Sequence, residues 1–157
     1  MSSKKIIKIF TTWRFLFFSI WKLPMILIAG IRVKKLNRKE AKVSVPYNYI
    51  NKNPFNSMYF AVQAMAAELS TGALVISHVG EHNISMLVTS LESKYFKKAK
   101  TKINFICLDG DKVEMCIKNA IDTQTGQTCI LKSRGYDIND ICVSEFIITW
   151  SLKTRTR

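Results

Sequence analysis

Glu68 is the single acidic side chain between Glu40 and Glu81, and it stands in the middle of an apolar run. Moving an ionised carboxylate into such surroundings costs several kcal/mol unless it finds a cation, takes up a proton or has chemistry to do. A carboxyl desolvated in this way suits general-base or nucleophilic work near neutral pH. A plainer alternative stays open beside it: a lysine or a capping hydroxyl pairs the group, and its role ends there. On a helix, Glu68 shares one face with Ala61, Ala64, Met65, Thr71 and Gly72. His78 and His82 lie four residues apart, but no carboxylate completes a set at known spacing, so no metal is expected. Neither a GxSxG elbow nor a Walker loop nor GxGxxG is present.

The element that must position Glu68 is the stretch from Asn51 to Val79. Pro54 with Asn51, Asn53 and Asn56 marks a loop, and Asn56 or Ser57 is placed to cap a helix start with a side-chain oxygen. From Met58 to Val79 there is no proline and one glycine, Gly72. A helix of that length spans about 33 Å, the width of a small domain. It is apolar all round, which implies burial. Its alanines let another backbone, such as a sheet, come close.

The same residues resemble the central helix of the hotdog-fold thioesterase superfamily, in particular the DUF4442-type proteins related to phenylacetyl-CoA thioesterases. That pattern runs from an Asn through a small, a hydroxyl and two small residues at the helix start to an Asp or Glu about two turns on. Asn53, Asn56, Ser57, Phe60, Ala61 and Glu68 fall on those positions. The likeness extends from about Trp13 to the basic C-terminal end. It departs at Phe60-Ala61, where members often carry Gly-Gly, and at Tyr59, where many thioesterases carry His. The resemblance implies an acyl-CoA or related acyl thioester hydrolase, with coenzyme A as part of the substrate and no further cofactor. In that reading Glu68 activates water or attacks the carbonyl. The N–H groups of Phe60 and Ala61, at the positive end of the helix dipole, hold the developing oxyanion. Asn53, Ser57 and Tyr59 complete the catalytic set; Asn56, Met65, Lys97 and Lys98 hold substrate or coenzyme A. Hotdog sites usually form between subunits, so a homodimer is implied, with a tetramer as the next larger assembly. The competing reading is a module that binds an acyl thioester or lipid without cleaving it.

The net charge of +13 is unevenly spread: residues 1–42 hold 11 Lys/Arg against one acid. Such a segment serves nucleic acid, anionic lipid or cofactor phosphates. Tyr95 and Phe96 beside Lys97–Lys102 touch on the first, but no RNA-binding signature accompanies them and no nucleic-acid partner is expected. Residues 4–31 are dense in aromatics. Arg14 and Lys22 interrupt any secretory core, and Lys22 with Pro24 splits the longest apolar run. Three readings remain: a helix docked on the domain, an amphipathic helix giving peripheral membrane contact, and a true span. The four cysteines form no CxxC pair and read as reduced, mostly buried thiols of a cytosolic protein, so the expected location is cytoplasmic or peripheral to the membrane.

The length suits one domain, and a hydrophobic fraction of 48% suffices for a core. Residues 1–30 form the basic, aromatic helical segment and residues 31–157 the hotdog domain. Ile31–Leu36 and Ala41–Val45 read as a hairpin. After the long helix come strands at Ile84–Phe96 and Thr101–Leu108, then a short helix carrying Val113, Cys116, Ile117, Ala120 and Ile121 at helical spacing. Strands at Gln127–Tyr136 and Ile141–Lys153 close the chain. In the first of these four strands Ile84, Met86 and Val88 are expected on one face and Leu87, Leu91 and Tyr95 on the other. In the last, Cys142, Phe146, Ile148, Trp150 and Leu152 alternate cleanly. The fold class expected is α+β: a long central helix wrapped by an antiparallel sheet, with an extra N-terminal helix.

Overall fold

A computed structural model describes residues 3–80 and 82–155. Its elements are α1 (Ser3–Phe10), α2 (Arg14–Lys22), α3 (Pro24–Ile28), β1 (Arg32–Leu36), β2 (Ala41–Val45), α4 (Phe60–Val79), β3 (Ile84–Tyr95), β4 (Ile103–Cys107), α5 (Gly110–Thr123), β5 (Gln127–Tyr136) and β6 (Cys142–Thr154). The strands form one six-stranded sheet in the order β1-β2-β4-β5-β6-β3, antiparallel throughout. The sheet packs against the 20-residue α4, whose Ala66, Ala67, Ala73, Leu74 and Val75 are buried against it. This is the α+β architecture expected, with the long helix at its centre.

Three pairs of polar side chains cross from α4 to the sheet and fix the helix in rotation and register. The Ser144 hydroxyl donates to Gln63 Oε1 at 2.9 Å, the Ser70 and Ser133 hydroxyls lie 2.8 Å apart, and Trp150 Nε1–H donates to Thr71 Oγ1 at 3.1 Å. Gly72 makes room for the last of these: a Cβ there would meet the Trp150 ring at 3.2 Å. In β6 the side chains of Phe146, Ile148, Trp150 and Leu152 are all buried, as their period-2 spacing predicts.

The N-terminal segment is three short helices rather than one. The hydroxyls of Thr11 and Thr12 donate back to the carbonyls of Ile7 and Lys8 and end α1, while Pro24 opens α3. Ile6, Phe10, Phe15 and Ile26 are buried in the same core as the sheet. Gly30, at φ +67, turns the chain into β1, and a Cβ there would press on Pro46 at 3.0 Å.

Strand β3 departs from simple alternation. Its register against β6 slips between Val88 and Ser90, so that Val88 pairs with Trp150, Leu91 with Ile148 and Tyr95 with Ser144. The extra residue puts Leu91 and Tyr95 on the face of Val88, not on the opposite face that uninterrupted alternation predicts. The Tyr95 ring accordingly meets Phe146 edge-on, with centroids 5.7 Å apart.

The Ser70–Ser133 pair supplies a stability test. Ser70→Ala leaves the fully buried Ser133 hydroxyl without its partner and costs about 1–3 kcal/mol in urea unfolding; Ser70→Ala with Ser133→Ala costs less than the two single changes added together. Strict additivity would remove this pair from the forces that hold the helix.

Candidate functional site

The site residues read from the sequence are arranged along α4, and its first turn is built by tertiary bonds. Asn53 Oδ1 accepts from the N–H groups of Phe55 and Ser57, at 3.0 and 3.2 Å, and from the Ser57 hydroxyl at 3.2 Å. Ser57 is thereby spent on closing the loop, and Asn56 turns it at φ 56, exposed. The side-chain cap expected from one of these two is not formed. Met58 N–H donates to Ala99 O and Tyr59 N–H to Asn51 O, both at 2.8 Å, which holds residues 58–59 extended and delays the helix to Phe60.

Tyr59 is the N-cap residue and offers no side-chain cap. The N–H groups of Phe60 and Ala61 therefore take no acceptor among the described residues. They are uncompensated donors at the positive end of a 20-residue helix. The Phe60 ring leans toward Tyr59 and Tyr95, with centroids at 4.8 and 6.4 Å. A cavity of about 320 Å³ beside this turn brings together Asn53, Ser57, Phe60, Gln63, Lys97 and Lys98. Lys98 Nζ also donates to Phe55 O at 3.3 Å.

Glu68 lies two turns further on, about 12 Å along the axis from Phe60. It lines a separate cavity of about 370 Å³, walled by Phe18 of α2, Leu23 at the joint between α2 and α3, Ile26 of α3, Leu69 of α4, Met86 of β3 and Trp150 of β6. Among the described residues it makes no ion pair and no side-chain hydrogen bond, although Lys22 lines the same cavity. The plainer reading of a paired carboxylate is therefore not what the structure holds. Burial alone raises the Glu68 carboxyl above the ordinary glutamate value of 4.5. Thr71 ties the wall together: its hydroxyl accepts from Trp150 Nε1–H and donates to the Glu68 backbone carbonyl at 3.0 Å.

The two halves of the predicted site thus occupy two hollows. Ala61, Ala64, Met65 and Glu68 form a half-buried stripe down the helix between them, while Tyr59 and Asn56 are exposed and line neither. Lys22, Phe18 and Trp150 were not foreseen as walls of the carboxylate cavity. Gly72, one turn beyond Glu68 on the same face, is the signal that a large side chain approaches there. A larger hollow, about 580 Å³, lies elsewhere, at the C-terminal end of α4. His78 faces it from a buried position, Nδ1 3.0 Å from Leu74 O, and burial lowers its proton affinity. Among the described residues no three His, Cys, Asp or Glu side chains gather as metal ligands.

A 20-residue central helix packed against a six-stranded antiparallel sheet is the hotdog arrangement. Residues 11–152 match the DUF4442 family, a domain of unknown function, and the chain belongs to that family. No curated protein matches the sequence. Among solved structures it is similar to PA5026 of Pseudomonas aeruginosa, called a probable thioesterase: TM-score 0.80 at 18% identity, covering 99% of this chain and 97% of that one. A protein of unknown function from Chlorobaculum tepidum superimposes with TM-score 0.76 at 16% identity over 98% and 94% of the two chains. Thioesterase HI1161 of Haemophilus influenzae does so with TM-score 0.67 at 8% identity over 87% of each. At these identities the likeness establishes the shared fold.

A raised carboxyl pKa has a defined signature in stability. The folded state binds the Glu68 proton more tightly than the unfolded chain does. Its stabilising contribution is therefore complete below the ordinary value of 4.5 and is lost as pH rises through the folded pKa. Glu68→Gln, which stays neutral, melts higher than the native chain at about pH 8, and the gap closes as pH falls below 4.5. A gap that does not change with pH in thermal melts would mean that the carboxyl is not desolvated.

Proposed function

We propose that the protein hydrolyses an acyl thioester, most simply an acyl-CoA, at a site that two copies of the chain assemble. The observation that carries this reading is the unpaired, desolvated Glu68 carboxyl on the helix whose first turn presents two free N–H groups. The thioester carbonyl oxygen accepts from Phe60 and Ala61 N–H as it becomes an oxyanion. Glu68 takes a proton from the attacking water and returns it to the thiolate expelled as the C–S bond breaks, or its carboxylate attacks the carbonyl, expels the thiolate and forms an anhydride that water then hydrolyses. Asn53 and Tyr59 border the helix start, where they orient the carbonyl or the water, and Ser57 holds the Asn53 side chain in place. Met65, on the stripe between the two hollows, borders the path of the substrate, Asn56 stays outside both hollows, and Lys97 and Lys98 offer charge to the phosphates of coenzyme A.

One helix cannot bring both groups to one carbonyl, because about 12 Å of axis separates them. A second copy can, by presenting its carboxylate to the first copy's helix start. The chain has a surface suited to such pairing. Strand β3 is a 12-residue edge, and Leu87, Leu91 and Tyr95 on it are exposed. A long uncovered edge with apolar side chains invites another strand. Edge-to-edge pairing about a twofold axis would extend the sheet and bring the two half-buried α4 stripes together.

A panel of acyl-CoAs assayed for free thiol tests the reading. Glu68→Gln lowers kcat by about 10²–10⁴-fold. Phe60→Pro removes one N–H donor at a position where proline is tolerated, since it opens the helix and follows Tyr59 at φ −60, ψ 133. It lowers kcat by about 10²–10³-fold with little change in melting. Full activity in Glu68→Gln removes the carboxylate from the mechanism. Tight acyl-CoA binding without thiol release by the native chain would instead favour a non-catalytic binding module, the reading suggested by the departure of Phe60-Ala61 from the Gly-Gly pattern that the resemblance implies.

A further inference from the structure

The three N-terminal helices turn one face to the core and leave the other bare. Phe10, Phe15, Ser19 and Ile26 are buried, whereas Trp13 is 69% and Trp21 84% exposed, with Phe17, Ile20, Met25 and Ile28 each half exposed or more. An uncovered apolar surface of this kind is unusual on a monomeric soluble protein and marks a docking face. Its chemistry is specific: tryptophans and aliphatics are set among exposed Lys4, Lys5, Lys8, Arg14 and Lys22, in a 42-residue segment with 11 basic residues and one acid. Exposed aromatic and aliphatic side chains interspersed along the segment with exposed lysine and arginine match the headgroup and acyl boundary of an anionic bilayer. The helices of eight, nine and five residues fall short of the roughly 20 residues that a span needs, so the fit is to a surface.

The same helices roof the carboxylate cavity. Phe18, Lys22, Leu23 and Ile26 line it from α2, α3 and the joint between them, and Phe18 and Lys22 also reach the exposed side. We infer that α2 and α3 seat the protein on an anionic bilayer surface, and that the Glu68 cavity receives a long acyl chain from that side. The first half stands on the exposed face and its charge; the second rests on the thioesterase reading. Lys22 at the cavity rim would meet lipid phosphate while Phe18 borders the hydrocarbon path.

The test uses the full chain and its Phe17→Ser, Trp21→Ser double variant, whose two side chains are exposed and lie outside the cavity lining. Both are sedimented at about 0.15 M salt with phosphatidylcholine vesicles, with and without about one third phosphatidylglycerol. The native chain binds the anionic vesicles at least about tenfold more tightly than neutral ones, with a blue shift of tryptophan fluorescence; the double variant loses about tenfold or more. Equal binding by the two forms, or no binding by the native chain, overturns the proposal. So does a native oligomer that shrinks in the double variant, since the face would then belong to a second copy. In the activity arm, anionic vesicles speed hydrolysis of hexadecanoyl-CoA but not butanoyl-CoA by the native chain. The double variant keeps its butanoyl rate and loses the stimulation. Unstimulated hexadecanoyl hydrolysis overturns delivery from the bilayer alone. Hydrolysis of neither thioester removes the thioesterase reading and delivery together, while the vesicle-binding result still decides the docking face.

Discussion

A carboxylate held against apolar walls by a helix that cannot turn is the constraint on which the rest of this molecule depends. Left free, α4 would rotate by a fraction of a turn and put Glu68 in water. The Gln63–Ser144, Ser70–Ser133 and Thr71–Trp150 bonds oppose that rotation at three levels along the helix. Each joins buried polar groups that would cost free energy if left unmade, so together they define one register far more sharply than alanine packing alone. The desolvation of Glu68 is a consequence of this clamping, and its raised proton affinity is a consequence of the desolvation.

The same rigidity separates the functional groups. Free donors at the start of α4 and a carboxylate two turns along are fixed on one rod, and no side-chain motion closes about 12 Å between them. The half-buried stripe of Ala61, Ala64, Met65 and Glu68, together with the bare β3 edge, leaves one flank of the protomer unfinished. The proposed dimer would cover that flank and complete the site. The sheet's other edge, β1, is shorter, at five residues.

Much of the fold was legible because its strongest signals are local. The composition of α4 and the alternation of β6 depend on residues within one element, and those elements lie within a residue or two of where the pattern puts them. The failures are of another kind. The α4 start is set by bonds from Met58 to Ala99 and from Tyr59 to Asn51, and the former partner lies 41 residues along the chain, beyond any window of periodicity. The bulge in β3 turns on its pairing with β6, so the face occupied by Leu91 and Tyr95 could not be read from β3 alone. The three helix–sheet clamps join residues 63 to 81 positions apart. Of the candidate site, Glu68 and its face were legible because one acid in an apolar run is conspicuous. The roof over it was not, because Phe18, Leu23 and Ile26 look like any other apolar helix residues until the fold places them.

The central claim is that one protomer's helix start works with its partner's carboxylate, and hybrid dimers test it most directly. Phe60→Pro and Glu68→Gln chains, each inactive alone, are co-expressed under separate affinity tags, and thiol release from acyl-CoA is compared with that of the native dimer. If the site is shared, half of the dimers are mixed and each mixed dimer holds one intact pairing, so activity returns to about a quarter of native. If each protomer carries its whole site, every site in the mixture bears one lesion, and no recovery above the single variants would contradict the account.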